Sequence, residues 1–464
     1  MGTITFLGGT GTVTGSKYLF EQNTKRILID CGLFQGLKAL RQKNWMPLPL
    51  DVKTLDSVIL THAHIDHTGF LPRLVKQGYN GPVYANSATV DLLKIMLLDS
   101  AHLQEEDARF LNKIGATKHK PALPLYNKED AEKAISLLKP VSYGQEFEPV
   151  PDITIKLRDA GHILGSSFVN IYWKNETGER RKIVFSGDLG RPDRPILKDP
   201  STIYQADYLL VESTYGNRLH DDAQPEESLA RIINDTIHRK GSVVIPSFAV
   251  GRTQELLYIL RDLEEKKRIP ELPVFVDSPM AINATEITSK HIENQDLNAR
   301  LLHIKGIDAF RTKHTVFTES REESQKINDF SEPCIIISAS GMLTGGRILH
   351  HLKYRLPFEK HTVLFIGYQA EGTRGRAMLE GKKKIKIHGE QIPVKAHIEK
   401  ISGFSAHADY EEILAWLAGF TKAPRSVFVV HGEPGASADL AKKIKSVYKW
   451  TVHVPEYQSK FQLE

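Results

Sequence analysis

His62-Ala63-His64-Ile65-Asp66-His67 places three imidazoles and a carboxylate directly after the apolar run Val58-Ile59-Leu60-Thr61. Extended backbone sends alternate side chains the same way, so His62 and His64 leave the strand end on one side. Asp66 and His67, past that end, are free to turn toward a second ion. Thr68-Gly69-Phe70-Leu71-Pro72-Arg73-Leu74 follows and can open a helix. Neutral imidazole and carboxylate suit zinc, and a catalytic zinc site keeps one position open for water. The alternative is a histidine-rich surface loop, but at this chain's His frequency a chance match to the pattern is expected in roughly a few sequences per thousand. The stretch therefore reads as a metal site at the end of a strand.

Outward from it, the same device recurs. Ile4–Leu7, Lys17–Phe20 and Arg26–Asp30 read as short strands separated by glycines and polar residues. Asp30 ends its strand before Cys31-Gly32, where it can cap a turn or orient a metal-bound histidine. Helical spacing runs from Ala88 to Leu111 and from Lys128 to Leu138. Ile153–Leu157 leads to Asp159-Ala160-Gly161-His162, and Arg181–Phe185 leads to Ser186-Gly187-Asp188. Either His162 or Asp188 alone would be an ordinary turn residue. Their shared placement brings ligands from three strands toward one sheet edge.

From about residue 207 the texture changes. Tyr208-Leu209-Leu210-Val211-Glu212 is a strand ending in a carboxylate, and units of apolar strand, glycine turn and helix follow. Ser242–Pro246 precedes Gly251-Arg252 and a helix over Thr253–Leu263; Pro273–Asp277 precedes another helix. Cys334–Ile337 precedes Ser340-Gly341 and Gly345-Gly346-Arg347; Thr362–Ile366 precedes Gly367-Tyr368 and Gly372-Thr373-Arg374-Gly375-Arg376. Such alternation predicts a parallel sheet buried on both faces. Its glycine turns and helix N-termini offer N–H groups to anions, and with Arg252, Arg347, Arg374 and Arg376 they form a candidate phosphate track.

The last part returns to the first texture. Val394–Ile401 alternates as a strand and leads to Ser405-Ala406-His407-Ala408-Asp409; Val427–Val430 runs into His431-Gly432-Glu433. Another histidine at a strand end, so late in the chain, points to one domain interrupted by another. Lys382, Lys383, Lys384 and Lys386 read as a solvated linker near the re-entry point, and the pair His350-His351 as surface residues on a helix.

Composition narrows the class. At 464 residues the chain exceeds one ordinary core, and 41% apolar with 25% charged residues is that of a soluble globular protein. The balance of 61 basic to 56 acidic residues, a net +5, permits an anionic partner without announcing one. Cys31 and Cys334 offer neither a disulfide framework nor paired-thiol metal spacing, which points to a reducing compartment, the cytoplasm. No basic leader with an apolar core opens the chain, and no apolar stretch is long enough to cross a bilayer.

Taken in order, these motifs resemble those of the metallo-β-lactamase superfamily and, within it, the β-CASP nucleases. Asp30, the His62 to His67 cluster, His162 and Asp188 are similar to the general motifs; Glu212, His407 and His431 are similar to those of the β-CASP group. The resemblance implies an α/β protein: an αββα sandwich, residues 1–210 and 386–464, split by a β-CASP domain with a mainly parallel sheet, residues 211–385. It implies two zinc ions, manganese being compatible with the same ligands. His62, His64 and His162 would hold the first; Asp66, His67 and His431 the second; Asp188 would bridge, with room for a hydroxide between them. Asp66, Glu212 and His407 form the implied catalytic set. His407 is suited to protonate the leaving oxygen, with Glu212 holding its imidazole in the right tautomer.

Family members leave 3′-hydroxyl and 5′-phosphate ends. RNA-cleaving members resemble this chain at His431, where the DNA-directed branch has an aliphatic residue. Within the RNA branch the chain resembles short bacterial and archaeal relatives of the mRNA 3′-end cleavage subunit. The ribonuclease J type carries a further C-terminal domain, for which the chain after His431 is too short. The implied partner is single-stranded RNA in a cleft between the two domains, with endonucleolytic attack, no membrane, and a homodimer by analogy. Two rival readings stand beside this one. A small-ester hydrolase on the same scaffold would not need the inserted anion loops. A non-catalytic RNA-binding homologue should have lost ligands, whereas here every ligand type is present.

Overall fold

The computed structural model describes residues 2–115, 120–220, 225–367, 369 and 372–464; Tyr368, in one of the glycine turns, lies outside them. The chain divides into two compact units. The first holds Met1–Asp193, Lys198–Leu219 and His407–Glu464, the second Arg194–Leu197 and His220–Ala406.

Among the described residues, the first unit is built on two seven-stranded sheets. One runs Lys460–Leu463, Gly2–Phe6, Tyr18–Gln22, Lys25–Ile29, Ser57–Ile59, Val83–Asn86, Leu138–Val141. The other runs Val452–His453, Ser426–Val430, Tyr208–Glu212, Arg180–Phe185, Ser167–Lys174, Ile153–Asp159, Glu146–Val150. Alternation along each strand decides which side packs where. Tyr208 and Leu210 face the inter-sheet core with Ile4, Phe6, Phe20, Ile155, Ile171 and Phe428. Leu209 and Val211 face outward and are covered by Ile413, Leu417, Leu440 and Ile444 from helices Tyr410–Leu417 and Pro434–Tyr448. The 28-residue helix Ser87–Ile114 packs near Val83–Asn86 and Leu138–Val141 of the first sheet, giving the αββα layering.

The second unit carries a six-stranded, wholly parallel sheet in the order Thr315–Phe317, Val274–Val276, Ile335–Ser338, Val243–Pro246, Thr362–Phe365, His397–Lys400. Both its faces are apolar. Val243 and Ile245 pack with Leu256 and Leu260 on one side, and Val244 packs with Ile348, Leu352 and Met378 on the other. Continuous apolar strands thus have their parallel, doubly covered sheet.

Three sequence expectations differ in detail. The alternating stretch around His397 adds an edge strand to the inserted unit's sheet, pairing with Thr362–Phe365, so that unit continues to Ala406, past residue 385. Alternation alone does not say which sheet an edge strand will join. The lysine cluster is no linker: Lys384–Ile387 pairs with Glu390–Pro393 as a hairpin that buries Ile385 and Ile387. Finally, His350 is exposed as expected, but His351 is fully buried, with Nε2 2.6 Å from Asp277 Oδ2 and Nδ1 2.8 Å from Asn328 Oδ1.

Candidate metal centre

Strand direction assembles the site. Lys25–Ile29 and Ser57–Ile59 are parallel neighbours, so Asp30 and the Thr61-His62 turn leave the same edge of the first sheet. In the second sheet Arg180–Phe185, Tyr208–Glu212 and Ser426–Val430 run parallel, delivering Asp188, Glu212 and His431 together. Ser167–Lys174 is antiparallel to both Ile153–Asp159 and Arg180–Phe185, so His162 arrives at that edge as well. The turns are sharp: Asp30 and His431 sit at φ +59° and +48°, a region that Asp, Asn and His enter more readily than other side chains. At Gly32 the approach is too close for a side chain, since a Cβ would lie 1.6 Å from the Asp66 carbonyl oxygen.

The candidate ligand atoms fall into two groups that share Asp188. His64 Nδ1 lies 3.1 Å from His62 Nε2 and 3.3 Å from His162 Nε2. Asp188 Oδ2 is 3.4 Å from the former and 3.6 Å from the latter nitrogen of that pair of partners, His62 Nε2 and His162 Nε2. Its other oxygen, Oδ1, is 3.2 Å from His67 Nε2 and 3.5 Å from His431 Nε2. Asp66 Oδ2 closes the second group, 3.9 Å from His67 Nε2 and 3.8 Å from His431 Nε2. Atoms within each group lie within 4.8 Å of one another.

Three of the imidazoles are held in the form that ligates metal. Burial pushes His62 down to about 3, and it lowers His64 and His162 as well, so all three stay neutral near pH 7. Burial works against ionised Asp188, but the imidazoles around it, His431 first, hold its carboxyl well below the usual range. His67 is pushed the other way: burial opposes its charge, while Asp188 and Asp30 favour it. His67 Nε2 and Asp188 Oδ1 are buried without a hydrogen-bond partner among the described residues. Such atoms are costly unless something occupies the space between them. A divalent cation fits this donor set.

Behind the ligands, a hydrogen-bonded layer sets tautomers. Asp30 Oδ2 lies 2.7 Å from His67 Nδ1 and accepts from Thr61 Oγ1 at 2.9 Å, while Thr61 Oγ1 is 3.0 Å from His62 Nδ1. A proton on each Nδ1 leaves the Nε2 lone pair for metal. Ser16 Oγ does the same for His431, 2.8 Å from its Nδ1. Sequence reasoning found Asp30 but not Thr61 or Ser16. Thr61 at least adjoins the cluster; nothing in the chain marks Ser16.

His407 stands beside this centre, partly exposed. Its Nδ1 is 3.1 and 3.2 Å from the two oxygens of the fully buried Glu212, and 3.9 Å from Asp188 Oδ2. Glu212 is itself fixed, accepting from the N–H groups of Leu189 at 2.6 Å and Thr214 at 3.3 Å. Burial would lower the His407 imidazole, but Glu212, followed by Asp188 and Asp66, raises it to about 9. It therefore stays protonated at neutral pH.

The candidate phosphate contacts all lie in the inserted unit. Arg347 donates to Asp277 Oδ1 at 2.8 Å and to the carbonyls of Thr318 and Glu319 at 3.1 and 2.7 Å. Arg374 donates to the carbonyls of Lys386 and Leu343, both at 2.8 Å. Arg252 pairs with Glu255 and Arg376 with Glu380. Ser340 Oγ accepts from the Thr344 N–H at 3.1 Å, and the Gly341 carbonyl accepts from Gln369 at 2.9 Å.

Comparison with known proteins gives the same architecture. Residues 10–231 match the metallo-beta-lactamase superfamily, 253–378 the Beta-Casp domain, and 391–455 the Zn-dependent metallo-hydrolase RNA specificity domain. Ribonuclease TTHA0252 of Thermus thermophilus is 37% identical over 94% of this chain and 94% of its own length. Transcription termination factor FttA of Methanocaldococcus jannaschii is 32% identical over 97% of this chain and 70% of its own. Among solved structures, a protein of unknown function from Enterococcus faecalis shares the fold at TM-score 0.58 and 14% identity, over 100% of both chains. The chain belongs to the metallo-β-lactamase superfamily, to the group defined by an inserted β-CASP domain.

Proposed function

We propose that this protein is a metal-dependent ribonuclease that hydrolyses single-stranded RNA at a two-metal centre. The observation that carries the reading is Asp188, which turns one oxygen toward each of two ligand groups beside the Glu212-held His407. The match to an RNA specificity domain and a relative named as a ribonuclease support RNA as the substrate.

In this reading His62, His64 and His162 would hold one zinc ion and Asp66, His67 and His431 another, with Asp188 available to both; manganese suits the same donors. When bound, the metals would supply activated water at neutral pH and offset charge on a phosphoryl oxygen. The water gives up one proton to solvent and its oxygen forms a bond to phosphorus as the bond to the 3′-oxygen breaks. His407 passes its proton to that departing oxygen, leaving a 3′-hydroxyl and a 5′-phosphate. Glu212 stabilises the imidazolium beforehand and keeps the Nδ1 proton in place, so that Nε2 is the nitrogen that donates. The glycine loops of the inserted unit are proposed to receive RNA phosphates, with Ser340, Gly341, Arg252 and Arg376 as contacts. Arg347 and Arg374 complete the proposed contacts while bracing those loops through a carboxylate and protein carbonyls.

End-labelled single-stranded RNA incubated with zinc-loaded protein tests the reading, beside a chelator-treated sample and a His407→Ala variant. Cleavage by the loaded protein alone is the expected result. Intact RNA with the loaded protein contradicts it, and cleavage that ignores both chelator and substitution comes from a contaminant.

A further inference from the structure

Ser16 carries no ligand chemistry of its own and lies far from the metal motifs in sequence. It is nevertheless fully buried against them. Its Oγ is 2.8 Å from His431 Nδ1, its N–H donates to the Asp66 carbonyl at 3.0 Å, and its carbonyl accepts from the Gly32 N–H at 3.0 Å. Tyr18 adds a hydrogen bond to the Ser16 side chain. The loop before it also grips His431, whose N–H donates to the Gly9 carbonyl at 2.6 Å. On the other side, the buried Lys17 ammonium donates to the Gly32 carbonyl at 2.5 Å and lies 4.6 and 4.7 Å from the centres of the Phe34 and Phe70 rings.

Asp66 and His431 are two of the three residues of the second ligand group, and they come from distant parts of the chain. Ser16 is hydrogen-bonded to both. For His431 the bond has a chemical consequence. A lone pair on Nε2, directed toward Asp188 and Asp66, requires the proton on Nδ1, and Ser16 Oγ is the acceptor for it. The first group is held differently: His62 Nδ1 meets Thr61 Oγ1 at 3.0 Å, and the His162 backbone N–H donates to Ser166 Oγ at 2.9 Å. Among the described residues, the hydrogen bonds of Ser16 to His431, Asp66 and Gly32 lie on the side of the second group and reach none of His62, His64 or His162.

We infer that Ser16 is a positioning residue for the second metal subsite, and that this subsite depends on it while the first does not. The inference rests on the two-metal reading above. It makes the two ions separable by one hydroxyl that touches neither.

The test is metal binding by the full chain, independent of catalysis. Protein stripped with chelator is titrated with Zn2+ against a chromophoric competitor, and the unfolding temperature of the metal-free form checks the fold. Wild type should bind two ions. Ser16→Ala should bind one as tightly as wild type and the other about 10- to 100-fold more weakly. Ser16→Cys, with a weaker acceptor, should fall between, and it carries the test if the alanine variant does not fold. Combined with His431→Ala, the serine substitution should add no further loss. Equal affinity for both ions in Ser16→Ala, or equal weakening of both, overturns the inference while leaving the two-metal centre standing. A wild type that binds a single ion overturns both.

Discussion

The imidazole of His407 and the carboxylate of Glu212 meet across 195 positions of chain, Nδ1 lying 3.1 Å from Oε1. The pair turns a partly exposed histidine into an acid that keeps its proton well above neutral pH. Removing the imidazole should remove most of the chemistry. His407→Ala is expected to lower kcat about 10²- to 10⁴-fold with both metal ions retained, which metal analysis beside single-turnover RNA cleavage checks.

The pH profile follows from the same pair. The acting form is the protonated imidazole, so activity falls as pH rises through its pKa. Raised to about 9, His407 should support cleavage across neutral pH and fail only in alkali. In Glu212→Gln the alkaline limb should move down toward the ordinary imidazole range, about 6.5. A limb that stays where it was would show that another group sets it.

The layer behind the ligands predicts separable effects on metal affinity. Asp30→Asn weakens the acceptor for His67 Nδ1 and should loosen the second ion about 10- to 100-fold. Thr61→Val, close in shape but without the hydroxyl, leaves His62 Nδ1 unanchored and removes a donor from Asp30, so it should loosen the first ion by a similar factor and the second to a lesser extent. Competitive zinc titration resolves the two.

The inserted unit has its own buried charge cluster. Asp277, fully buried, accepts from Ser324 Oγ at 2.6 Å and Arg347 at 2.8 Å, and lies 2.6 Å from His351 Nε2. Burial works against its charge, but these partners, His351 first, hold the carboxyl below its usual range. A depressed carboxyl contributes stability at pH values above its unfolded pKa and loses it as pH falls through the folded one. Asp277→Ala should destabilise this unit by about 3–5 kcal/mol, because Arg347 and His351 lose their shared acceptor. Calorimetric unfolding at pH 7 checks the size, and repeating it toward pH 3 should show the difference from wild type shrinking.

Much of this is legible in the sequence alone. His62, His64, His162, Asp188 and His431 each follow an apolar strand, and strands that share a direction deliver their ends to one edge. What escaped was whatever depends on the partner across a fold. His351 looks like a surface residue on a helix until Asp277 is found beneath it. Nothing in the sequence marks the carboxylate and carbonyls that Arg347 and Arg374 hold within the inserted unit. The strand at His397 has no mark that assigns it to the inserted sheet, because an edge strand's alternation fits either unit. Ser16 is a small polar residue in a glycine-rich loop, and only the return of the chain at His431 gives it a role.

The central claim is that one carboxylate serves two metal ions. Anomalous diffraction from zinc-loaded crystals tests it most directly. Two peaks about 3.5–4 Å apart are expected, one beside His62, His64 and His162, the other beside Asp66, His67 and His431, with Asp188 next to both. A single peak, or zinc bound away from these residues while they stand empty, would contradict it.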